Sequence, residues 1–245
     1  EHVTVDDLEH GLAPRYKTIY LPAQLALSSR LLEMLAEYVR GGGRVVLDSP
    51  GGWYDERGRV LGTGKGSAFE QLFGAELADF QYSNNVPRML DGHRLEGFIT
   101  EVTPTTAQVR ALFQTGEPAV TENRLGKGTA VLLAFDASFA CFRPGNQAAE
   151  DWLRRYALGS HRPPYACEGA VVYRLAAPSA DHYFFINDGE ARRVVLTSGR
   201  YCYKSASDPV TGEDVSPSAP IALEAYSGRW LRFEHRFPGG PDCQQ

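Results

Sequence analysis

The sequence has no long apolar segment. None of its 245 residues belongs to a run of about 18 apolar residues, the length that a membrane-spanning helix needs, so we expect no such helix. Residues 1–7 contain neither a basic segment nor an apolar one, and they do not resemble a signal peptide. The formal net charge is −5. Since nucleic acids and anionic membranes bind basic surfaces, we expect neither as a partner.

Cysteine and histidine are few and dispersed. The chain has six histidines and four cysteines, which are Cys141, Cys167, Cys202 and Cys243. A structural zinc site takes its ligands from closely spaced pairs, and no such pair occurs, so we predict no metal site and no cofactor. The spacing leaves a disulfide open, but a chain of this length can bury a core without cross-links. We therefore predict free, mostly buried thiols, which favours a cytoplasmic location.

The first part of the chain alternates between strand and helix patterns. Residues 16–21 are rich in β-branched and aromatic side chains, which favours a strand. Ser28 or Ser29 can cap a helix, the glycines at 41–43 end it, and residues 44–48, with an apolar centre, form the next strand. A strand, a helix and a second strand in this order indicate a parallel sheet covered by helices. In the predicted helix before the glycines, the apolar residues at helical spacing are Leu31, Leu32, Leu35, Tyr38 and Val39.

Further patterns extend this first domain to residue 160. A short helix is predicted at 68–73 and the clearest buried strand at 129–135. Residues 148–158 form the closing helix, because their large apolar side chains share one face. Between these segments, residues 80–120 have a weaker, β-like pattern.

After residues 161–164 the pattern changes. This segment contains two consecutive prolines, which resist both helix and sheet, and it is predicted to be a linker. Apolar and polar residues alternate in the following segments, and turn residues separate them, so residues 165–237 are predicted to form a small all-β sandwich. Residues 238–245 are predicted to be a disordered tail. The predicted strands are 170–175, 183–187, 194–196, 221–223 and 230–233.

Ser49 is the one candidate nucleophile after a central strand. A hydrolase or an amidotransferase of this topology places its nucleophile on a sharp turn at that position. Pro50 is unlike the usual turn, and neither His93 nor His161 has an evident partner as a base. We therefore favour a structural role for Ser49 and keep a stand-alone hydrolase that uses it as an alternative.

The remaining candidate residues are carboxylates and aromatic side chains. A glycosidase needs two carboxylates that face each other, and no such pair is recognisable here. Asp136, at the end of a predicted strand, is expected to cap a helix or anchor a loop. Aromatic rings in a loop or on a sheet can contact a sugar or a partner subunit. The candidate interface or sugar-contacting residues are Trp53, Tyr54, Asp55, Arg57 and Trp230.

Five segments in a fixed order resemble one known family. They are residues 16–22, 35–43, 52–58, 69–74 and 123–128. Together they resemble the trimerisation domain of family 42 glycoside hydrolases, which include β-galactosidases. The resemblance covers residues 1–158, and the following β domain is in the position of that family's small C-terminal domain. It implies a flavodoxin-like, class I glutamine amidotransferase-like fold that lacks the amidotransferase nucleophile.

The resemblance also implies a function. In this family both catalytic glutamates belong to a (β/α)₈ barrel, which would be N-terminal to this chain, and no residue here corresponds to either glutamate. The chain is therefore expected to be a non-catalytic accessory portion, with the barrel, copies of itself (up to a trimer) and carbohydrate as partners. A carbohydrate-binding module that uses Trp53 or Trp230 is a further alternative.

The flavodoxin-like order also predicts how the sheet begins. Residues 3–6 then correspond to the family's second strand and residues 16–21 to its third. The central strand between them is absent from the sequence, so we expect the native polypeptide to extend upstream of Glu1 and to supply it.

Overall fold

A computed structural model describes residues 2–11, 13–141, 146–159, 164–199 and 201–237. Its contacts divide the chain into two compact units, Glu1–His161 and Arg162–Gln245. Of the predicted linker only Pro164 is among the described residues, and the predicted tail, residues 238–245, lies outside them. Each unit has a hydrophobic core of its own.

The first unit combines helices and strands. Its elements in chain order are α1 (Val5–Glu9), a 3₁₀ turn (Ala13–Arg15), β1 (Thr18–Leu21), α2 (Ser29–Arg40), β2 (Arg44–Leu47), α3 (Ala68–Phe73), β3 (Ala75–Tyr82), β4 (Met89–Leu90), β5 (His93–Arg94), β6 (Phe98–Pro104), β7 (Gln108–Leu112), β8 (Pro118–Leu125), β9 (Gly128–Leu133), α4 (Ala137–Cys141), α5 (Gln147–Trp152) and a π-helical segment (Leu153–Leu158). The prediction of an α/β unit is confirmed.

A five-stranded sheet organises this unit. Its strand order is β1-β2-β9-β8-β7. The first three strands are parallel, and Ile19, Val45 and Ala130 lie side by side across them. β8 and β7 run antiparallel to their neighbours, so the prediction of a parallel sheet is wrong for these two strands. The reason is local: only Gly126 and Lys127 separate β8 from β9, and so short a connection can join only antiparallel strands.

Local signals explain the boundaries of α2. The Ser28 hydroxyl accepts a hydrogen bond from the Leu31 N–H at 3.0 Å and caps the helix, as predicted. The glycine run is required by packing as well as by the helix end. A Cβ atom on Gly43 would lie 2.2 Å from the Tyr38 ring, so a larger residue there would have to displace that ring. Buried apolar residues of α2 pack in the core against β9 and α3.

The beginning of the chain differs from the prediction. Residues 3–6 do not form a strand, because α1 begins at Val5. Thr4 and Asp7 form a capping box: the Thr4 hydroxyl accepts from the Asp7 N–H, and the Asp7 carboxylate accepts from the Thr4 N–H. This reciprocal cap stabilises a helix start and outweighs the strand propensity of the valines. Among the described residues β1 has one neighbour, β2.

An ion-pair network joins β2, β7 and β8 on the sheet. Arg44 contacts Glu122 at 3.1 Å, and Arg110 contacts the other oxygen of Glu122 at 2.6 Å. Arg44 also donates to the carbonyl oxygen of Tyr156 at 2.6 Å, which ties the π-helical segment to the sheet. Burial raises the pKa of Glu122, but the bonds from the two arginines outweigh it and hold the pKa below its usual value.

The second unit contains only strands among its described residues. They are β10 (Ala166–Cys167), β11 (Val171–Ala176), β12 (Ala180–Ile186), β13 (Arg192–Val194), β14 (Leu196–Thr197), β15 (Tyr203–Ser207), β16 (Asp214–Val215), β17 (Ile221–Leu223) and β18 (Gly228–His235). A five-stranded antiparallel sheet has the order β11-β12-β18-β15-β16, and two strand pairs, β10-β14 and β13-β17, accompany it. Alternate residues of β12 and β18, such as Tyr183, Phe185, Leu231 and Phe233, form the core.

A buried polar network closes one end of this sheet. The Asp181 carboxylate is fully buried and accepts from Arg174 at 2.9 Å and from the Tyr203 hydroxyl at 2.7 Å. The hydroxyls of Tyr203 and Tyr183 are 2.6 Å apart. A ring nitrogen of His235 is 3.3 Å from Asp181. A buried carboxylate needs such partners, since an unpaired one would be strongly destabilising.

The structure tests the prediction that the cysteines are free thiols. Cys141 and Cys167 are free, as predicted, whereas Cys202 is disulfide-bonded, so the prediction of free thiols is wrong for this residue. Cys243 lies outside the described residues.

Within the described ranges no helix has both the length and the apolar character to cross a bilayer.

Candidate functional surface at the carboxyl edge of the sheet

Loops from three parallel strands meet at one edge of the first unit's sheet. β1, β2 and β9 are parallel, so their carboxyl ends lie together, and in α/β proteins this edge commonly carries the functional residues. Asp48, directly after β2, is fully buried there. Its carboxylate accepts hydrogen bonds from the Tyr20 hydroxyl at 2.5 Å, from the Ala23 N–H and from the Ser138 N–H at 2.9 Å. Asp48 therefore holds the three loops together.

A second carboxylate at this edge also has a structural role. Asp136, after β9, accepts from the Phe139 N–H at 2.9 Å and from the Ser138 hydroxyl at 3.0 Å, so it caps α4 as predicted. Burial raises the pKa of both Asp48 and Asp136. Both oxygens of Asp48 and Oδ1 of Asp136 thus accept hydrogen bonds from the surrounding loops. This arrangement does not resemble the two facing carboxylates of a glycosidase, which flank a sugar-binding cleft.

The geometry around Ser49 does not supply a base. The Ser49 hydroxyl is buried and lies 2.6 Å from the hydroxyl of Thr100 on β6. Its N–H donates to the Phe135 carbonyl at 3.2 Å. Among the described residues no histidine forms a hydrogen bond with Ser49: His93 packs against Trp152, and His161 is not among the described residues. Ser49 thus connects the loop after β2 with β6.

Trp53 belongs to a cluster of aromatic rings at this edge. Its ring lies 4.9 Å from that of Phe80, Phe80 lies 5.7 Å from Phe98, and Phe98 contacts Tyr82 edge-on at 5.4 Å. Trp53, Phe80 and Phe98 are half-buried, and Tyr82 is exposed. The indole N–H of Trp53 has no hydrogen-bond partner in this structure. We call Trp53, Phe80, Tyr82 and Phe98 the aromatic surface.

The sequence analysis missed three members of the aromatic surface. Phe80 and Tyr82 alternate along β3, which places both side chains on the same face of the strand, and Tyr82 pairs with Phe98 of β6. This alternation was a detectable signal. The contact with Trp53 was not detectable, because it depends on how the β3–β6 pair packs against a distant loop.

The other predicted loop residues shape or flank the same segment. The Tyr54 N–H donates to the Leu25 carbonyl at 3.1 Å. The Asp55 carboxylate accepts from the N–H groups of Arg59 and Arg57 at 2.9 and 2.8 Å, and the bond from Arg59 lowers the pKa of Asp55. Asp55 therefore closes a turn. Arg57 is exposed.

Trp230 belongs to the second unit, whereas the predicted loop residues, Trp53 to Arg57, belong to the first. Its indole N–H donates to Nδ1 of His182 at 3.0 Å. Its ring stacks against that of Phe184, with centroids 5.9 Å apart and planes 16° apart. Trp230 thus belongs to a different, local aromatic cluster on the sheet of the second unit. Among the described residues no group of histidine, cysteine, aspartate and glutamate could hold a metal ion.

Comparison with known protein families identifies the class of this chain. The sequence model of the β-galactosidase trimerisation domain, named for family 42 glycoside hydrolases, matches residues 4–157. The chain belongs to this family. The match covers the mixed sheet, its helices and the aromatic surface of the first unit.

Solved structures share the fold. Gan42B, a GH42 β-galactosidase from G. stearothermophilus, is 23% identical with a TM-score of 0.70 over 93% of this chain and 33% of its own. The β-galactosidase from Bacillus circulans sp. alkalophilus is 18% identical with a TM-score of 0.66, over 90% of this chain and 33% of its own. An α-L-fucosidase, isoenzyme 2 from Paenibacillus thiaminolyticus, is 13% identical with a TM-score of 0.62, over 94% of this chain and 42% of its own.

These structures are much longer than the present chain, which spans about a third of the two β-galactosidases. No curated protein sequence matches the chain significantly.

Proposed function

We propose that this chain is a non-catalytic accessory portion of a β-galactosidase-type glycoside hydrolase, whose catalytic barrel is a separate part of the polypeptide. The observation that carries the proposal is the family match over residues 4–157. The site geometry supports it, because the Asp48 and Asp136 carboxylates accept hydrogen bonds from backbone and hydroxyl donors, and no described histidine bonds to Ser49. A cytoplasmic location stays a prediction.

The proposal is tested by assaying the chain alone. We expect no hydrolysis of a chromogenic β-galactoside, since no pair of facing carboxylates is evident in the part of the chain that the structure describes. Turnover that disappears in Asp55→Asn or Glu56→Gln would overturn the proposal, because these loop carboxylates directly follow the candidate sugar-contacting residues Trp53 and Tyr54. The same assay with a chromogenic α-L-fucoside controls for another sugar specificity.

The role assigned to residues 1–160 is self-association, possibly as a trimer, on a glutamine amidotransferase-like fold. The aromatic surface supports this role, because partly exposed aromatic rings are enriched in subunit interfaces. Trp53 anchors the surface, and Tyr54, Asp55 and Arg57 form its flank. Residues 165–237 are assigned to a separate β-sandwich domain.

Light scattering tests this self-association. The chain has a mass of 27.0 kDa, and a trimer would have three times this mass. We expect Tyr82→Lys to reduce the mass towards that of the monomer, because a charge would then enter the aromatic surface. Leu112→Lys, an equally large change at an exposed residue of β7, is the matched control. A wild-type chain that is monomeric at high concentration contradicts the assignment.

The open edge of β1 bears on the finer fold assignment. A flavodoxin-like sheet has a strand between its second and third strands, and β1 lacks a neighbour on that side among the described residues. We infer that a strand from the parent polypeptide pairs with Thr18–Leu21. Amide hydrogen exchange of these residues should then be slower in the parent enzyme than in this chain, and equal exchange rates would contradict the inference.

Carbohydrate is the second candidate partner, through Trp53 or Trp230. The half-buried indole of Trp53 favours it, since it presents part of a ring to solvent, whereas the ring of Trp230 is stacked on Phe184. Affinity electrophoresis in gels that contain a soluble galactan tests it. Retardation that is lost in Trp53→Ala would support a sugar-binding role, and unchanged mobility of the wild type would exclude it for that polysaccharide.

A further inference from the structure

The outer face of the sheet in the second unit has an apolar strip. The strip consists of Val171, Tyr173, Leu175, Phe184, Ile186 and Trp230. The first five are 49%, 57%, 61%, 38% and 44% exposed, respectively, and Trp230 is half-buried. The opposite face of the same strands is the core, so these side chains point away from it. Contiguous exposed apolar residues of this kind mark an interaction surface.

Strand register makes the strip continuous. Val171 lies opposite Ile186, and Tyr173 lies opposite Phe184, which in turn lies opposite Trp230. Side chains directly opposite each other on neighbouring strands are in contact distance. Three strands therefore contribute one flat apolar area rather than isolated hydrophobic residues.

The ring geometry argues against a sugar as the ligand. Phe184 and Trp230 are nearly parallel at 5.9 Å, which is the spacing of offset-stacked rings that turn their faces to each other. The faces that would stack on a sugar are thus partly covered. Branched aliphatic side chains, Val171 and Ile186, form the rest of the same area. Such a surface fits another protein surface.

The charges of the sheet face favour a second copy of this chain. The strip contains no charged residue, and the nearby charges on the same face balance. Lys204 and Arg232 pair with Glu234, and a second carboxylate, Asp214, lies on this face opposite Ser207. Trp230 donates to Nδ1 of His182, and a nitrogen that accepts a hydrogen bond carries no proton. Two copies of this face can therefore meet without repulsion between like charges.

The size of the strip sets the strength of this contact. Large side chains have about 150–250 Å² of surface each, so at these exposures the strip presents on the order of 500 Å². Two copies would bury roughly 1,000 Å² in total, the lower limit for a specific interface. Association through this face alone is weak, and it becomes stronger where the first unit already holds copies together.

We infer that the outer face of the sheet β11-β12-β18 is a self-complementary interface, through which two copies of this chain pack face to face about a two-fold axis. Facing sheets pack about 10 Å apart with interdigitating side chains, and a flat strip of this composition suits that arrangement. A two-fold contact here is independent of the aromatic surface of the first unit. It adds a contact between copies to whatever assembly the first unit forms.

Substitution within the strip tests the inference on the whole chain. We expect Leu175→Lys, and independently Ile186→Lys, to lower the mass measured by sedimentation equilibrium at a high protein concentration. If the first unit does not associate, a dimer becomes a monomer and the mass is halved. If the first unit associates, the mass falls to that of the assembly that the first unit forms alone. The test therefore fails or succeeds separately from the proposed association of the first unit.

Val210→Lys is the matched control. Val210 is 77% exposed in the same unit but lies in a turn outside the strip, so it should keep the wild-type mass. A thermal unfolding transition equal to that of the wild type shows that each variant is folded. If Leu175→Lys and Ile186→Lys both have the same mass as the wild type, the inference is wrong. The inference is also wrong if the wild type sediments with phosphatidylcholine vesicles and Leu175→Lys does not, since the strip would then bind a membrane surface.

Discussion

Replacing Asp48 by asparagine tests whether this buried carboxylate holds the carboxyl edge of the sheet together. It accepts from two backbone N–H groups, those of Ala23 and Ser138, and from the Tyr20 hydroxyl. Asparagine has one oxygen and one NH₂ group, so in either orientation its NH₂ faces a backbone N–H. A buried N–H without an acceptor costs about 1–3 kcal/mol. We expect Asp48→Asn to lower the free energy of unfolding of the first unit by this amount.

The pKa of Asp48 gives this effect a defined pH dependence. Burial raises the pKa of Asp48, so the folded protein binds a proton at this site more tightly than the unfolded chain does. The stability that this site contributes is fully present below the unfolded pKa and is lost as the pH rises through the folded pKa. Asparagine does not titrate. The stability difference between the wild type and the variant is therefore largest in acid and decreases as the pH rises.

Urea unfolding at several pH values between about 4 and 8 measures this difference. A Trp230→Phe background leaves the fluorescence of Trp53 and Trp152 as the probe of the first unit. Asp79→Asn is the matched control, because Asp79 is exposed on β3 and forms only local hydrogen bonds. The control should change stability by no more than about 0.5 kcal/mol. If Asp48→Asn is as stable as the wild type at every pH, or if the difference grows with pH, the reasoning is refuted.

Three further substitutions test other parts of the structure. Glu122→Gln should lower the unfolding free energy by about 1–3 kcal/mol at neutral pH. Because the pKa of Glu122 is depressed in the folded protein, the advantage of the wild type is present above the unfolded pKa and should disappear as the pH falls through the folded pKa. A stability difference that persists in acid would contradict this. Ser49→Ala should cost about 1–2 kcal/mol through the lost bond to Thr100, and a fluorophosphonate probe that labels wild-type Ser49 would disprove its structural role. Tyr203→Phe removes a donor to buried Asp181 and should lower the melting temperature of the second unit by roughly 5–15 °C in calorimetry, whereas an unchanged melting temperature would show that the hydroxyl is dispensable.

Much of the local structure was predictable because its signals are local. The cap at Ser28, the glycines at 41–43 and the apolar run at 129–135 each specify an element through neighbouring residues, and α2 and β9 follow them closely. The start of the chain shows how such signals compete. Thr4 and Asp7 form a helix cap, and this local bond pattern decided against the strand that the valines favour.

The candidate surface was only partly predictable. The sequence analysis identified Trp53 as an aromatic residue in a loop, but not its neighbours Phe80 and Phe98. The role of Asp48 was equally hidden, because its donors come from the ends of β1 and β9. Residues far apart in the chain meet there only because parallel strands end at the same edge.

The sequence by itself determined the α/β order of the first unit, the all-β pattern of the second and the family to which the chain belongs. Helix caps, glycine runs and alternation act over a few residues, so they are readable without coordinates. Only the tertiary structure decided that Asp48 is a buried acceptor, that Tyr82 pairs with Phe98, and that Tyr173, Phe184 and Trp230 form one row. These facts depend on strand register, and a shift of one residue would turn every one of those side chains to the other face of its sheet.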